Sequence, residues 1–286
     1  MKSKDNNYDL NNWFRCKDKL INLEKPLIMG ILNVTSNSFF EGSRKFLFDE
    51  ALRHADEMIK AGADCIDIGG VSTRPKADLL TLEEELERVV PVVKAIRKKH
   101  PKILISIDTF RSEVAKASVK EGADIINDVY SGRYDGKMYD VVAELEVPYV
   151  LMHSRGDSKN MQDLCRYKDV VEEVCYELSE QVEIAKSKGI KDIIIDPGFG
   201  FAKTMEQNYE LLKGIKYLEI LGLPILIGLS RKSMIYKLLN LEPENALNGT
   251  TALNTLAMLN KANFIRVHDV EEAVQVRQIV LTINNS

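Results

Sequence analysis

KILISIDTFRSEVAKASVKEGADIINDV, residues 102–129, holds one full repeat of the fold. A run of Ile and Leu stops at Asp108, a helical pattern follows, Gly122 ends it, and a second apolar run stops at Asn127 and Asp128. Strands of a parallel sheet are covered on both faces and so read as nearly continuous apolar runs. The rhythm occurs eight times. Leu32 runs into Asn33, Ile66 into Asp67, Ile107 into Asp108, Ile126 into Asn127 and Asp128, Leu151 into Met152 and His153, and Ile195 into Asp196. Leu229 runs into Ser230, Arg231 and Lys232, and the last run ends at Val267 between Arg266 and His268. Strands are therefore expected near 27–32, 64–68, 103–107, 124–127, 148–152, 192–195, 225–229 and 264–267. Eight such units fit an α/β chain closed as a (β/α)8 TIM barrel, whose catalytic groups lie at the carboxyl ends of the strands. An open doubly wound sheet would need a glycine-rich phosphate loop after its first strand, and MGILNVTSNS at 29–38 contains no GxGxxG.

Local signals agree with the barrel. Thr81 and Glu84 form a capping-box pattern, and Leu82, Leu86, Val89, Val93 and Ile96 then recur at helical spacing, with Pro91 expected to kink that helix without ending it. Val170, Val174, Leu178, Val182 and Ala185 mark another helix, which Gly189 is placed to terminate in a left-handed conformation. Gly62 and Gly122 occupy the same role in the twin segments AGAD (61–64) and EGAD (121–124). WFRCKDKLINL at 13–23 reads as a short hairpin after a polar, Asn-rich start. The division expected is 1–25 for tail and hairpin and 26–286 for the barrel.

The 286 residues suffice for one barrel domain of the usual size of about 250 residues. With 39 basic against 43 acidic residues, the net charge of −4 lacks the cationic footprint of a nucleic-acid binder, and a small-molecule ligand is expected instead. Cys16, Cys65, Cys165 and Cys175 show no CxxC spacing and read as free thiols of a reducing cytosol. There is no apolar leader and no run near the roughly 18 apolar residues of a membrane span, so a cytoplasmic protein is expected and the N-x-T sequons at Asn33 and Asn248 are chance matches.

Asp108 and Asp196 could each be an ordinary helix N-cap. Asn127 ends the intervening fourth strand, however, and Lys232 follows the seventh, so carboxylate, amide and ammonium groups converge on one face. Such a ring suits a flat heterocycle with many donors and acceptors. Asp196-Pro197-Gly198-Phe199-Gly200-Phe201 is a rigid turn that lets a ligand approach closely, with aromatic faces on either side. Arg266 and His268 point the same way from the last strand, and with Lys232, Arg231 and Arg74 they gather positive charge where a phosphate or pyrophosphate would sit. His54 and His100 read as surface residues, and His153 as a buried, hydrogen-bonded structural histidine.

Taken together, MGILNVT (29–35), DIGG (67–70), STRP (72–75), SIDT (106–109), NDV (127–129), LMH (151–153), DPGFGF (196–201), SRKS (230–233) and IRVHDV (265–270) closely resemble the dihydropteroate synthase family. The resemblance implies condensation of 6-hydroxymethyl-7,8-dihydropterin pyrophosphate with p-aminobenzoate, with Mg2+, in folate biosynthesis, by a homodimer that is a sulfonamide target. It implies that Asp108, Asn127, Asp196 and Lys232 hold the pterin, that Asn33, Arg266 and His268 hold the pyrophosphate, and that Asn33 lies near the metal. Phe39, Thr73, Arg74, Pro75, Phe201 and Ser233 match positions around p-aminobenzoate, and Met152 joins the substrate-binding set. Asp108, Lys232, Arg266 and His268 are the expected catalytic groups, whereas Asp67 is expected to be structural.

Departures from the family pattern cluster in two loops. Where the family usually reads NVTPDSFSDGG and GGESTRPGA, this chain has Ser36, Asn37, Glu41, Val71 and Lys76 at the altered positions. The pterin floor keeps its residue types, so a shift in p-aminobenzoate affinity and sulfonamide sensitivity is expected. Two other readings are a pterin-pyrophosphate binder with impaired turnover and a pterin-dependent methyltransferase module. The methyltransferase has no use for the STRP loop or for Arg266 and His268.

Overall fold

A computed structural model describes residues 13–34, 41–71, 80–156 and 160–286, with the main chain alone at 41–46 and 162. The hairpin forms as expected: β1 (Trp13–Cys16) pairs antiparallel with β2 (Lys19–Asn22). Eight parallel strands follow, β3 (Leu27–Asn33), β4 (Cys65–Gly69), β5 (Leu104–Asp108), β6 (Ile125–Asp128), β7 (Tyr149–Met152), β8 (Ile193–Asp196), β9 (Leu226–Ile227) and β10 (Phe264–Val267). Their order is β8-β7-β6-β5-β4-β3-β10-β9, and a parallel bridge between Ile195 and Ile225 brings the two edges together as a barrel. β9 is shorter than the expected 225–229, because the chain already turns at Leu229, whose carbonyl accepts from Lys232 N at 3.2 Å.

The helices are α1 (Glu41–Lys60), α2 (Leu82–Lys99), α3 (Ser112–Lys120), α4 (Met138–Leu145), α5 (Val170–Ser187), α6 (Met205–Lys213), α7 (Ser233–Tyr236), α8 (Leu247–Leu259) and α9 (Val270–Asn284). The capping box at α2 is present on both arms, with Glu84 N donating to Thr81 Oγ1 at 3.2 Å and Thr81 N to Glu84 Oε2 at 2.9 Å. Such a cap contributes about 1 kcal/mol. Pro91 lies inside α2 and does not end it. Gly122 ends α3 at φ +116°, and a Cβ there would also come within 2.7 Å of Arg97 Cγ, so both conformation and space call for glycine.

Strand parity sorts the interior into layers. Leu27, Met29, Cys65, Leu104, Ile125, Val150, Ile194, Leu226 and Phe264 form one apolar cluster with Phe14, Cys16 and Leu23, so the hairpin plugs the amino-terminal end of the barrel. Phe14 meets Phe264 edge-on, with ring centroids 5.6 Å apart. The opposite parity, including Ile28, Ile66, Ile105, Ile126, Ile195 and Ile265, packs outward in the larger core cluster with buried helix residues such as Val93, Val114, Leu178 and Val280. Two residues further along the inward parity, Cys65 gives way to Asp67, Leu104 to Ser106, Ile125 to Asn127, Ile194 to Asp196 and Phe264 to Arg266. The barrel interior thus changes from apolar to polar in one step toward the carboxyl ends. All four cysteines are free, and burial pushes the Cys16 thiol up to about 12. No helix among the described residues is long and apolar enough to cross a membrane.

Candidate active site

Arg266 organises the polar layer. From β10 its Nε donates to Asp67 Oδ2 and its Nη2 to Asp108 Oδ2, both at 2.6 Å. Asn127 Nδ2 donates to the same Asp67 oxygen at 3.1 Å. Asp67 is fully buried, and its other oxygen, like Ser106 Oγ beside it in register, has no hydrogen-bond partner. Burial pushes the Asp108 carboxyl above the usual carboxylate range, against the pull of Arg266 and with the help of Asp67. Burial alone would weaken Arg266 as a cation, but Asp67 and Asp108 outweigh it and keep the guanidinium charged. Asp67 is thus bonded directly to two residues of the expected floor, which its position at a strand end did not distinguish from a plain structural carboxylate.

Asp196 and Lys232 form the second group. Asp196 Oδ1 accepts from Gly198 N at 2.7 Å, and burial raises its carboxyl while Lys232 opposes the shift. Lys232, at the cap of α7, donates to the Phe199 carbonyl and lies 4.8 Å from the Phe201 ring centroid. Burial pulls its ammonium down to about 8, with Asp196 holding against the shift and Arg266 adding to it. The turn at 196–201 is as tight as the sequence suggests. Gly198 has φ +69° and a Cβ there would stand 1.9 Å from the His153 carbonyl oxygen. Only one of its aromatics faces the site: Phe199 is buried in the main core, contrary to expectation, while Phe201 packs beside Val71, Phe110, Val129 and Met152.

His268 and Asn33 are exposed above this layer. Ser230 Oγ accepts from His268 N at 3.2 Å and lies 2.9 Å from His268 Nδ1, to which it donates or from which it accepts according to the tautomer. The two contacts tie the His268 ring to the turn that follows β9. Gly69 leaves the space between Asn33 and Asp108 open, since a Cβ there would meet Asp108 Oδ2 at 3.7 Å and Asn33 Oδ1 at 3.8 Å. Ser233 begins α7, half-buried, next to Lys232. Phe39, Thr73, Arg74 and Pro75 lie outside the described residues, as do Ser36, Asn37 and Lys76.

Arg231 leaves the expected cationic rim. Its φ is +55°, its Nε and Nη2 fork onto Asp269 at 3.0 and 2.7 Å, and its Nη1 reaches the carbonyls of Pro243 and Glu244. It is a strut between loops. His153 is fully buried and hydrogen-bonded, as expected. Among the described residues no three His, Cys, Asp or Glu side chains gather where they could hold a metal. The oxygens at the mouth, Asn33 Oδ1 and the neighbouring Asp108, fit a hard cation that brings most of its ligands as water and phosphate oxygens, which is the habit of Mg2+.

Comparison with known proteins locates this arrangement. Residues 29–268 match the family of pterin binding enzymes. The dihydropteroate synthase of Escherichia coli strain K12 is 44% identical over 262 residues, covering 91% of this chain and 92% of that protein. The Yersinia pestis dihydropteroate synthase in its sulfonamide drug complex superposes with a TM-score of 0.90 at 39% identity, over 96% of this chain and 100% of the other. The Xanthomonas albilineans dihydropteroate synthase with 4-aminobenzoic acid gives a TM-score of 0.88 at 39% identity, over 96% and 99%. With a family match that spans every strand end from Met29 to His268, the chain belongs to the dihydropteroate synthases of the pterin-binding enzyme family.

Proposed function

We propose that this chain joins 6-hydroxymethyl-7,8-dihydropterin pyrophosphate to p-aminobenzoate, giving 7,8-dihydropteroate and pyrophosphate. The observation that carries the reading is the Asp67–Arg266–Asp108 chain of ion pairs beneath the exposed Asn33 and His268. It sets a buried polar layer for a heterocycle directly below a mouth suited to a polyanion. Asp108, Asn127, Asp196 and Lys232 supply the acceptors and donors for the pterin edges, with Met152 and Phe201 as apolar walls. Thr73, Arg74, Pro75, Phe39 and Ser233 are assigned to p-aminobenzoate on the resemblance alone.

In the reaction the bond between the pterin methylene and the pyrophosphate oxygen breaks, and its electron pair leaves with the pyrophosphate. Arg266 and His268 take up the developing negative charge. Positive charge spreads from the methylene into the ring, and Asp108 stabilises it from the floor. The arylamine nitrogen, neutral at pH 7, then forms the new bond and gives up a proton. No Ser-His-Asp triad is required for an amine that is already nucleophilic. Asn33 would hold a Mg2+ ion, which supplies charge neutralisation to the pyrophosphate.

The catalytic unit is proposed to be a cytoplasmic homodimer joined through the last barrel helices. α8 exposes Leu256 and Leu259 and the neighbouring α9 exposes Ile279 and Ile283, between 42 and 60%, which supports pairing of two copies there.

A second reading, a pterin-pyrophosphate binder of low turnover, is favoured by the altered loop positions, of which Val71 is buried among Phe110, Val129 and Met152. One incubation separates the two. Purified protein with pterin pyrophosphate, p-aminobenzoate and Mg2+ is expected to release dihydropteroate and pyrophosphate in equal amounts. Saturable pterin binding without product would replace the first reading by the second.

A further inference from the structure

Beside the 196–201 turn lies a chain of buried charged and polar groups that the reaction above does not use. Lys203 is 4% exposed, yet its ammonium donates to the carbonyls of Gly198 and Phe201 and to His153 Nδ1, each at 3.0 Å. His153 Nε2 in turn lies 3.0 Å from Glu177 Oε2 on α5. Glu177 is bonded to Arg155 Nε at 2.9 Å, and Arg155 Nη2 goes on to Glu173 at 2.8 Å. Arg155 also lies over the Tyr167 ring at 3.8 Å. The network thus begins at a half-buried helix face and ends at two carbonyls of the turn.

Hydrogen-bond geometry and burial together select one protonation pattern. Three acceptors surround Lys203 Nζ, so an ammonium satisfies all of them and leaves none of its protons unused. His153 Nδ1 must then be a bare acceptor, and the imidazole proton sits on Nε2, where it is donated to Glu177. A free amine would have to accept from Nδ1–H, which requires either a buried imidazolium or a bare Nε2 lone pair turned toward the Glu177 carboxylate. Burial lowers Lys203 to about 7 against the pull of Asp196, and burial lowers His153 to about 4, which keeps the ring neutral. Burial on its own would raise Glu177, but His153 and Arg155 hold it down at about 2. Asp196, Lys232, Glu177 and Arg155 are the charges that act on Lys203.

What the ammonium holds is the wall of the site. Gly198 O and Phe201 O flank the segment whose Phe199 carbonyl accepts from Lys232 and whose Gly198 N binds Asp196. The His153 backbone closes the same ring from β7, with His153 N bonded to Asp196 O at 2.8 Å. We propose that Lys203, fixed by His153 and Glu177, is a positioning residue that sets Asp196, Phe201 and Lys232 for the pterin. It touches no substrate itself. The inference rests on the proposed pterin chemistry for its interpretation, but its readout is pterin binding, which needs no turnover.

The test is isothermal titration of the full chain with 6-hydroxymethylpterin, a pterin without a leaving group, beside steady-state kinetics with the pyrophosphate. Lys203→Met is expected to weaken pterin binding and raise the pterin KM roughly ten- to a hundred-fold, with kcat changed far less. His153→Asn places an amide oxygen where Nδ1 stood and is expected to stay within about threefold of the parent, while His153→Leu follows Lys203→Met. A merely structural role would lower the melting temperature of His153→Asn and His153→Leu alike and leave the pterin affinity of the folded fraction unchanged. Should Lys203→Met and His153→Leu fail to fold, Glu177→Gln at the half-buried end reads the same linkage, with a smaller loss of affinity expected. Unchanged pterin affinity in the folded variants, or equal losses for His153→Asn and His153→Leu, overturns the inference. Absence of product from the parent protein would overturn the proposed function and leave the binding comparison standing.

Discussion

Arg266 Nε and Asp67 Oδ2 stand 2.6 Å apart, joined across β3 from β10 to β4, and Asp67 is fully buried. Removing one member of a buried pair leaves the other uncompensated, which costs about 3–5 kcal/mol. Asp67→Asn is therefore expected to lower stability in urea titrations by a substantial part of that range. It should also loosen the guanidinium that serves the leaving pyrophosphate, with a loss of kcat/KM on the order of a hundredfold. An Asp67→Asn protein with parental kinetics would show that Asp108 alone orients Arg266.

The pH profile follows from the burial of the same layer. The Lys232 ammonium, lowered to about 8, is a donor below that pH and loses its proton above it. Asp108 and Asp196, raised by burial, become neutral on the acid side earlier than ordinary carboxylates. The kcat/KM for the pterin should begin to fall above about pH 7 as Lys203 loses its proton, fall more steeply above about pH 8 with Lys232, and fall again toward acid, measured from about pH 5 to about pH 9.5. A profile flat through pH 9 would remove Lys232 from the group that must be charged.

Most of the architecture is readable in the sequence, because parallel strands need unbroken apolar runs and each run here stops at a polar residue. The part that is not readable is where partners meet. Asp67 and Arg266 are 199 positions apart, and the strand order that brings them together depends on barrel closure. Arg231 sits beside Lys232 in sequence, but a left-handed backbone sends it to Asp269. Lys203 follows a turn, and the acceptors that bury it include two backbone carbonyls that no side-chain pattern encodes. Asn33, Asp108, Asn127, Asp196 and His268 could be picked out because each lies at the end of a strand or immediately after one, and Lys232 because it sits in the turn that follows β9.

Ser230 bears on the leaving group through His268. Its Oγ accepts from His268 N and is hydrogen-bonded to Nδ1, so Ser230→Ala removes the contact that orients the imidazole. The expected result is a loss of roughly tenfold in kcat with little change in binding of 6-hydroxymethylpterin, which lacks the pyrophosphate. Equal losses in both would place Ser230 in the support of the pterin floor instead.

Dimer formation is testable on α9. Ile279 is 60% and Ile283 56% exposed, four positions apart and so on one helical face. Ile279→Arg with Ile283→Arg is expected to halve the mass seen by light scattering while leaving the circular dichroism spectrum intact. A parent protein that already runs as a monomer removes the dimer from the proposal.

The loops that differ from the family pattern make the last expectation. Val71 is buried with Phe110, Val129 and Met152, so Val71→Glu alone places a carboxylate among apolar neighbours, at a cost of a few kcal/mol unless a partner is supplied. The five departures are therefore reverted as a set: Ser36→Pro, Asn37→Asp, Glu41→Asp, Val71→Glu and Lys76→Gly. Proline at 36 restricts a backbone that serine leaves free, and glycine at 76 relieves strain if that position needs positive φ. The combined variant is expected to shift the p-aminobenzoate KM and the sulfonamide Ki together by several-fold, with the pterin KM unchanged because Asp108, Asn127, Asp196 and Lys232 are untouched. A set reversion that leaves both p-aminobenzoate KM and sulfonamide Ki where they were would mean that these five residues do not tune the second substrate, and that the difference from the family lies in loop sequence alone.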